Sequence, residues 1–265
     1  MNTNNKVLVL GITLLLAGCG GGGGGSGGSG GNNPPPPPPP PPPPAGDTSP
    51  GGHWSGTLTN DMHAVTEDYF AMIDAAGRFR LVSVDSAVQM SGNLAITANT
   101  FTGDAMAFAD TGVVWLDGNS ATAVTLEGSI TTQDSFAGTW TSTSGESGTF
   151  DFVYDGTFYE RAATLAQLAG SWIAYDDFAN PLANFTILDD GSFTGQNTLG
   201  CTSAGQFAVV DTGFNLFEVQ STITGCSIAG DYIGLSFIAD ILAPNDAIAF
   251  AVDNGSRAIL LGLEK

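Results

Sequence analysis

Residues 121–155 read ATAVTLEGSITTQDSFAGTWTSTSGESGTFDFVYD, and their spacing decides the fold class. Val124, Leu126 and Ile130 share one parity, as do Phe136 and Trp140, and then Phe150, Phe152 and Tyr154. A period of two sends successive side chains to opposite faces of a strand, so each run buries one face and wets the other. Only a few polar residues separate the runs, which suits hairpins between antiparallel neighbours.

The pattern extends in both directions. Phe185 pairs in parity with Ile187, Phe207 with Val209, Phe217 with Val219 and Ile223, and Ile233 with Leu235 and Phe237. Turn chemistry lies between such runs at Asp74 to Gly77, Asp117-Gly118, Asp155-Gly156, Asp190-Gly191, Asp211 to Gly213 and Asn254-Gly255. The reading predicts strands near 53–59, 68–74, 78–85, 88–97, 99–108, 121–131, 134–143 and 147–155. A second set falls near 170–176, 183–189, 192–198, 203–210, 214–223, 229–239, 246–252 and 256–263. Eight such strands suffice to close a small barrel, which removes exposed sheet edges. The expected fold is therefore all-β, with two tandem eight-stranded antiparallel meander barrels at 51–158 and 170–265. Between them, 159–169 has Thr164 and Gln167 at capping-box spacing and Gly170 as a stop, so one or two helical turns are expected there.

The chain upstream differs in kind. Lys6 precedes an apolar run from Val7 to Leu16, broken by Gly11 and Thr13. This is too short to span a bilayer, which takes roughly 20 residues as a helix, and it suits a signal-peptide core over 1–18. Leu16-Ala17-Gly18-Cys19 closes the run, and this stretch resembles the lipobox of bacterial lipoproteins. The resemblance implies that Cys19 carries a diacylglyceryl group, that the leader is cut just before it, and that the new amino terminus is acylated. An Asp after the Cys would imply the inner membrane. Gly20 stands there instead, so the resemblance implies an outer-membrane anchor in a host with two membranes. Multiple acyl chains make release slow, since each buried CH₂ contributes roughly 0.8 kcal/mol.

Residues 19–50 read as a disordered tether. Gly20 to Gly31 is interrupted only by Ser26 and Ser29, and Pro34 to Pro44 is an unbroken run. The glycine stretch spans roughly 20 Å as a coil and the proline stretch about 34 Å as polyproline II. Such a tether lifts a folded part clear of a membrane surface or polysaccharide layer.

Charge narrows the partners. With 26 acidic and 6 basic residues the formal charge is -20, which repels phosphate backbones, so no nucleic-acid partner is expected. The acidity suits solubility and also attracts cationic partners or divalent ions. Beyond Cys19 the only cysteines are Cys201 and Cys226, and an exported chain meets oxidising conditions, so a disulfide between them is expected.

Each half opens with Gly, any residue, Trp: Gly52-His53-Trp54 and Gly170-Ser171-Trp172, with a third copy at Gly138-Thr139-Trp140. Two such openings, each followed by eight strand candidates, read as a duplication that resembles lipocalins and the wider calycin group. The resemblance implies that Trp54 and Trp172 plug the closed ends of their barrels and that an arginine packs over each. Arg257 is the implied match for Trp172, and Arg161 a looser one for Trp54.

Enzyme chemistry finds little support. His53 and His63 are the only histidines, and neither has triad spacing. Asp176-Asp177 and Asp189-Asp190 are adjacent acids, which point to opposite faces in a strand or sit in turns. No phosphate loop, EF-hand loop or paired-His metal motif is present, and no cofactor is expected. The expected role is a membrane-anchored, non-enzymatic binding module for a protein, glycan or small apolar ligand. The alternative is a structural or protective envelope lipoprotein with no specific ligand.

Overall fold

The computed structural model describes residues 48–265 apart from 87, 111 and 177. Cys19, the leader and most of the tether therefore lie outside the described residues. Eight strands form the first barrel: β1 (Gly52–Asn60), β2 (Val65–Ile73), β3 (Arg78–Ser83), β4 (Gln89–Thr97), β5 (Thr100–Phe108), β6 (Ala121–Thr131), β7 (Ser135–Ser142) and β8 (Ser147–Tyr154). Two short helical turns follow, α1 (Gly156–Tyr159) and α2 (Leu165–Leu168). The second barrel comprises β9 (Gly170–Tyr175), β10 (Pro181–Ile187), β11 (Ser192–Asn197), β12 (Thr202–Val209), β13 (Phe217–Thr224), β14 (Gly230–Ala239), β15 (Ala247–Asp253) and β16 (Ala258–Glu264). Both are closed antiparallel meanders, as the alternation predicts.

The seams differ. In the first barrel β1 closes on β8 through five residue pairs, from Trp54 opposite Tyr154 to Leu58 opposite Phe150. Gly56 lets the strands meet, because a Cβ there would lie 2.0 Å from the Asp151 carbonyl oxygen. The second barrel closes through a single pair, Glu264 opposite Ile173, and β10 carries an irregularity between Pro181 and Ala183. Proline has no N–H to offer the ladder, so it sits at the strand's first residue.

The joint departs from the expected single stretch. Asp155-Gly156, read as a hairpin turn, instead starts α1, where the Asp155 carboxylate accepts the Phe158 N–H at 3.2 Å. The capping pair heads α2, with the Thr164 N–H donating to the Gln167 carboxamide oxygen at 2.7 Å. Asn215 then fastens α1 to the second barrel, its side-chain amide donating to the carbonyls of Phe158 and Ile238 while its oxygen accepts the Ile238 N–H.

Each barrel has its own interior core, built on Trp54, Phe136 and Phe152 in the first and on Trp172, Phe207 and Phe217 in the second. A third core lies between them. Met72 and Val82 from the outer wall of the first barrel meet Leu235, Phe237 and Ala251 from the outer wall of the second. The expectation that each strand wets one face thus fails for β3 and β15 and for the adjoining ends of β2 and β14, which are buried on both sides. Side chains such as Met72 and Phe237 each contribute about 1.5–3 kcal/mol when fully removed from water.

Charge reinforces this contact. Arg80 is buried, bonds the Ile233 carbonyl at 3.0 Å and pairs with the Asp253 carboxylate at 2.9 Å. Burial pushes its guanidinium down from the ordinary value, and Asp253 opposes that shift. Arg78 bridges Asp74 and Glu218, each at 2.6 Å, and the Glu218 carboxyl is held below its usual range by that arginine. His53 completes the interface, its ring edge-on to Phe237 at 4.3 Å between centroids. Burial alone pushes the His53 imidazole down to about 3.

Two outcomes follow from these groups. Arg80→Met alone leaves the Asp253 carboxylate buried without its partner, so unfolding free energy should drop by about 3 kcal/mol, with most of it regained in R80M combined with Asp253→Asn. Equal losses in the single and double variants would show that the pair is not coupled. For His53, the unfolded chain binds the proton more readily, so its contribution is fully present above about pH 6.5. It is lost as pH falls toward 3, at about 1.4 kcal/mol per pH unit. Denaturant midpoints measured at pH 7 and pH 4 should therefore fall less in His53→Phe than in the parent protein.

Candidate functional site

Strand direction defines the two ends of the first barrel. Gly52 and Trp54 lie at one end with Tyr154, whereas the β1–β2, β3–β4, β5–β6 and β7–β8 connections gather at the other. The first end is closed. Trp54 is buried, its indole N–H donates to the Pro50 carbonyl at 3.2 Å, and Tyr154 stands edge-on to it at 5.3 Å.

The other end holds a cavity of about 250 Å³. Leu58, Tyr69, Met90 and Trp140 form its floor and walls, all of inward parity on their strands. Trp140 is held in place by its own N–H, which bonds the Thr59 carbonyl at 2.8 Å. The longest connection of this barrel, 109–120, folds back over the opening. A turn drives this return, with the Gly118 N–H donating to the Trp115 carbonyl at 2.8 Å and Gly118 at φ +81°, a backbone region that glycine enters without a Cβ clash. Trp115 consequently packs into the core while Val113, Val114 and Leu116 stay exposed, the two valines lining the cavity together with Val65. The Trp115 indole N–H is buried with no acceptor among the described residues.

Polar groups enter this apolar space from β2 and from the β7–β8 connection. Glu67, on β2 in the same parity as Tyr69, accepts the hydroxyls of Ser83 at 2.9 Å and Ser86 at 2.6 Å. Glu146, at the entrance to β8, is buried and accepts the Ser144 hydroxyl at 2.9 Å. His63 approaches it at 3.4 Å. Burial, with the Glu67 charge as the second cause, pushes the Tyr69 phenol above its ordinary value, so the phenol remains protonated.

Two larger hollows, lined largely by threonine and other small polar side chains, lie on the outer walls across β4–β7 and β10–β13. Their open form and solvated hydroxyls give a ligand little to desolvate.

The residues singled out by sequence fall in separate places. Trp172 is buried at the closed end of the second barrel, and its N–H donates to the Leu168 carbonyl at 2.6 Å, repeating the four-residue return seen from Trp54 to Pro50. Gly138-Thr139-Trp140 opens no barrel, since it lies within β7. The cation over Trp172 is Lys265, at 4.5 Å from the ring centroid. Arg257 precedes β16, at the opposite end of the barrel, and reaches the Ser227 carbonyl at 3.3 Å. A cation can cover Trp172 only from the far end of that strand, where Lys265 stands. Arg161 likewise serves another purpose, pairing with Asp240 at 3.0 Å.

Cys201 and Cys226 are bonded, with Cα atoms 5.1 Å apart. They clamp the open end of the β12–β13 hairpin, next to the last pair of that ladder, Thr202 opposite Thr224. The two histidines are far apart in role, His53 in the barrel contact and His63 at the mouth. Asp176 accepts three hydrogen bonds from Asn180 within its turn, and Asp190 two from Ser192, so both carboxylates are engaged locally, Asp176 half-buried and Asp190 exposed. Among the described residues no group of three His, Cys, Asp or Glu side chains could hold a metal ion.

Sequence reasoning passed over Trp115, Glu67 and Glu146. A signal existed: Val113-Val114-Trp115-Leu116 is an apolar run inside a loop, and both glutamates continue an inward parity. No family model matches the chain, and comparison with curated proteins and with solved structures gave no match.

Replacing both Cys201 and Cys226 with serine should destabilise the protein by about 3.5 kcal/mol, the chain-entropy value for their 25-residue separation. Chemical unfolding of the variant, compared with the parent before and after reduction, provides the measurement. A variant as stable as the oxidised parent would show that the ladder alone holds this hairpin.

Proposed function

We propose that the protein is an envelope lipoprotein, anchored through acylated Cys19, that acts as a non-enzymatic binding module and takes a small apolar ligand at the mouth of its first barrel. The observation that carries this reading is the 250 Å³ cavity, bounded by Trp115, Trp140 and Met90 and rimmed by exposed Val113 and Val114. A dry concave wall with a few convergent polar groups is the usual form of a small-molecule site. Its volume is modest, about eight waters' worth at ~30 Å³ each, which suits one ring or a short chain. The paired Gly-x-Trp openings and the closed barrels support a lipocalin-like ancestry, in which ligand binding at an open barrel end is the common theme. The lipobox-like stretch and the glycine and proline segments support an outer-membrane, lipid-anchored address.

The second barrel serves in this scheme as a support. Its interior is filled by Phe185, Phe193, Phe207 and Phe250 in mutual ring contact, and its outer wall braces the first barrel.

Titration of the full-length protein with 2-phenylethanol, followed by tryptophan emission, should give a saturable change, because Trp115 and Trp140 line the cavity. Val88→Trp, at the partly buried wall of the same cavity, should abolish it while leaving the melting transition in place. An unchanged titration in that variant would place binding elsewhere. Intact mass of protein purified from membranes should show acyl chains on Cys19, and an unmodified Cys19 would remove the anchor from this account.

A further inference from the structure

We infer that the mouth of the first barrel selects a protonated amine carrying a nearby oxygen acceptor, such as a small aromatic amino alcohol. This rests on the reading of the mouth as a ligand site and specifies its chemistry.

The first ground is charge without a counter-ion. Glu67 and Glu146 both line the cavity, Glu146 being almost wholly buried, and no lysine or arginine lines it. The five described cations are committed elsewhere: Arg78 to Asp74 and Glu218, Arg80 to Asp253, Arg161 to Asp240, Arg257 to the Ser227 carbonyl and Lys265 over Trp172. The partners that the carboxylates do have are the hydroxyls of Ser83, Ser86 and Ser144 and the half-exposed ring of His63. A carboxylate offers about four acceptor positions, so capacity remains on each for an incoming N–H donor. A buried carboxylate is costly unless a positive charge or several donors meet it.

The second ground is the wall itself. Trp115, Trp140 and Tyr69 line the same cavity as these acids. An aromatic face attracts an ammonium through the ring quadrupole, the more so out of water. An anionic ligand would meet two like charges there, and a neutral one would leave both unpaired.

The third ground is a donor without an acceptor. The Trp115 indole N–H is buried and unpaired, on a residue nine-tenths removed from solvent. An ammonium cannot satisfy it, because it has no lone pair to give. A hydroxyl or carbonyl oxygen on the same ligand can, and the modest volume keeps that oxygen within a few bonds of the nitrogen.

The test uses four probes of like size on the full-length protein at pH 7: 2-amino-1-phenylethanol, 2-phenylethylamine, neutral 2-phenylethanol and anionic mandelate. The amino alcohol should bind tightest by calorimetry, with mandelate at least tenfold weaker than 2-phenylethanol. Glu146→Gln and Glu67→Gln should each weaken the amino alcohol by about tenfold while 2-phenylethanol binds at least as well as to the parent, since one unpaired carboxylate is gone; an unaltered melting transition shows that the variants remain folded. Trp115→Phe should weaken 2-amino-1-phenylethanol and 2-phenylethanol and remove the advantage of 2-amino-1-phenylethanol over 2-phenylethylamine. Equal binding of amine and neutral alcohol would overturn this inference while leaving the apolar site intact. Binding of none of the probes would overturn the site itself, and the inference with it.

Discussion

An eight-stranded barrel is only as wide inside as the side chains that fill it, and this limit governs where the molecule can hold anything. Along most of both barrels the inward positions are phenylalanine, tryptophan, leucine and isoleucine, and the rings touch across the interior. Space remains where the inward positions change character near one end of the first barrel. There β2 supplies Glu67, the β7–β8 connection supplies Glu146, and the β5–β6 connection supplies a folded-back tryptophan. The cavity is therefore a local interruption of packing, and its polar content comes from the same inward alternation that fills the rest.

The second constraint is the contact between barrels. Strands β2, β3, β14 and β15 show apolar side chains on both parities over part of their length, and the two walls bury them against each other. Arg80 with Asp253 and Arg78 with Glu218 give this contact direction, since an apolar patch alone fixes neither rotation nor register. His53, neutral through burial, and Asn215, bonded to carbonyls on both sides, tie the helical joint into the same region. The pair of barrels is thus one packed unit, unlike two modules joined by a free linker.

Strand order and boundaries were legible because alternation and turn chemistry act locally. Asp117-Gly118 and Asp190-Gly191 mark turns whatever surrounds them, and Phe150 with Phe152 declares an inner face without knowledge of its neighbours. The interface was less legible. Phe79 to Val82 and Ala247 to Val252 read as strands, but burial on both faces depends on a partner wall distant in the chain, and only the continuity of the apolar run hints at it. The cation over Trp172 was missed for a related reason. Which end of the last strand lies near the plug is a matter of direction around a closed sheet, and Lys265 follows that strand whereas Arg257 precedes it. The mouth was hidden because a glutamate in inward parity looks, in sequence, like any other solvated acid near a turn.

The chain enters the first barrel at Gly52, beside the Trp54 plug, and the cavity opens at the far tip of the same strand. The segment preceding Gly52 therefore joins the barrel at its sealed base, a full strand's length from the opening.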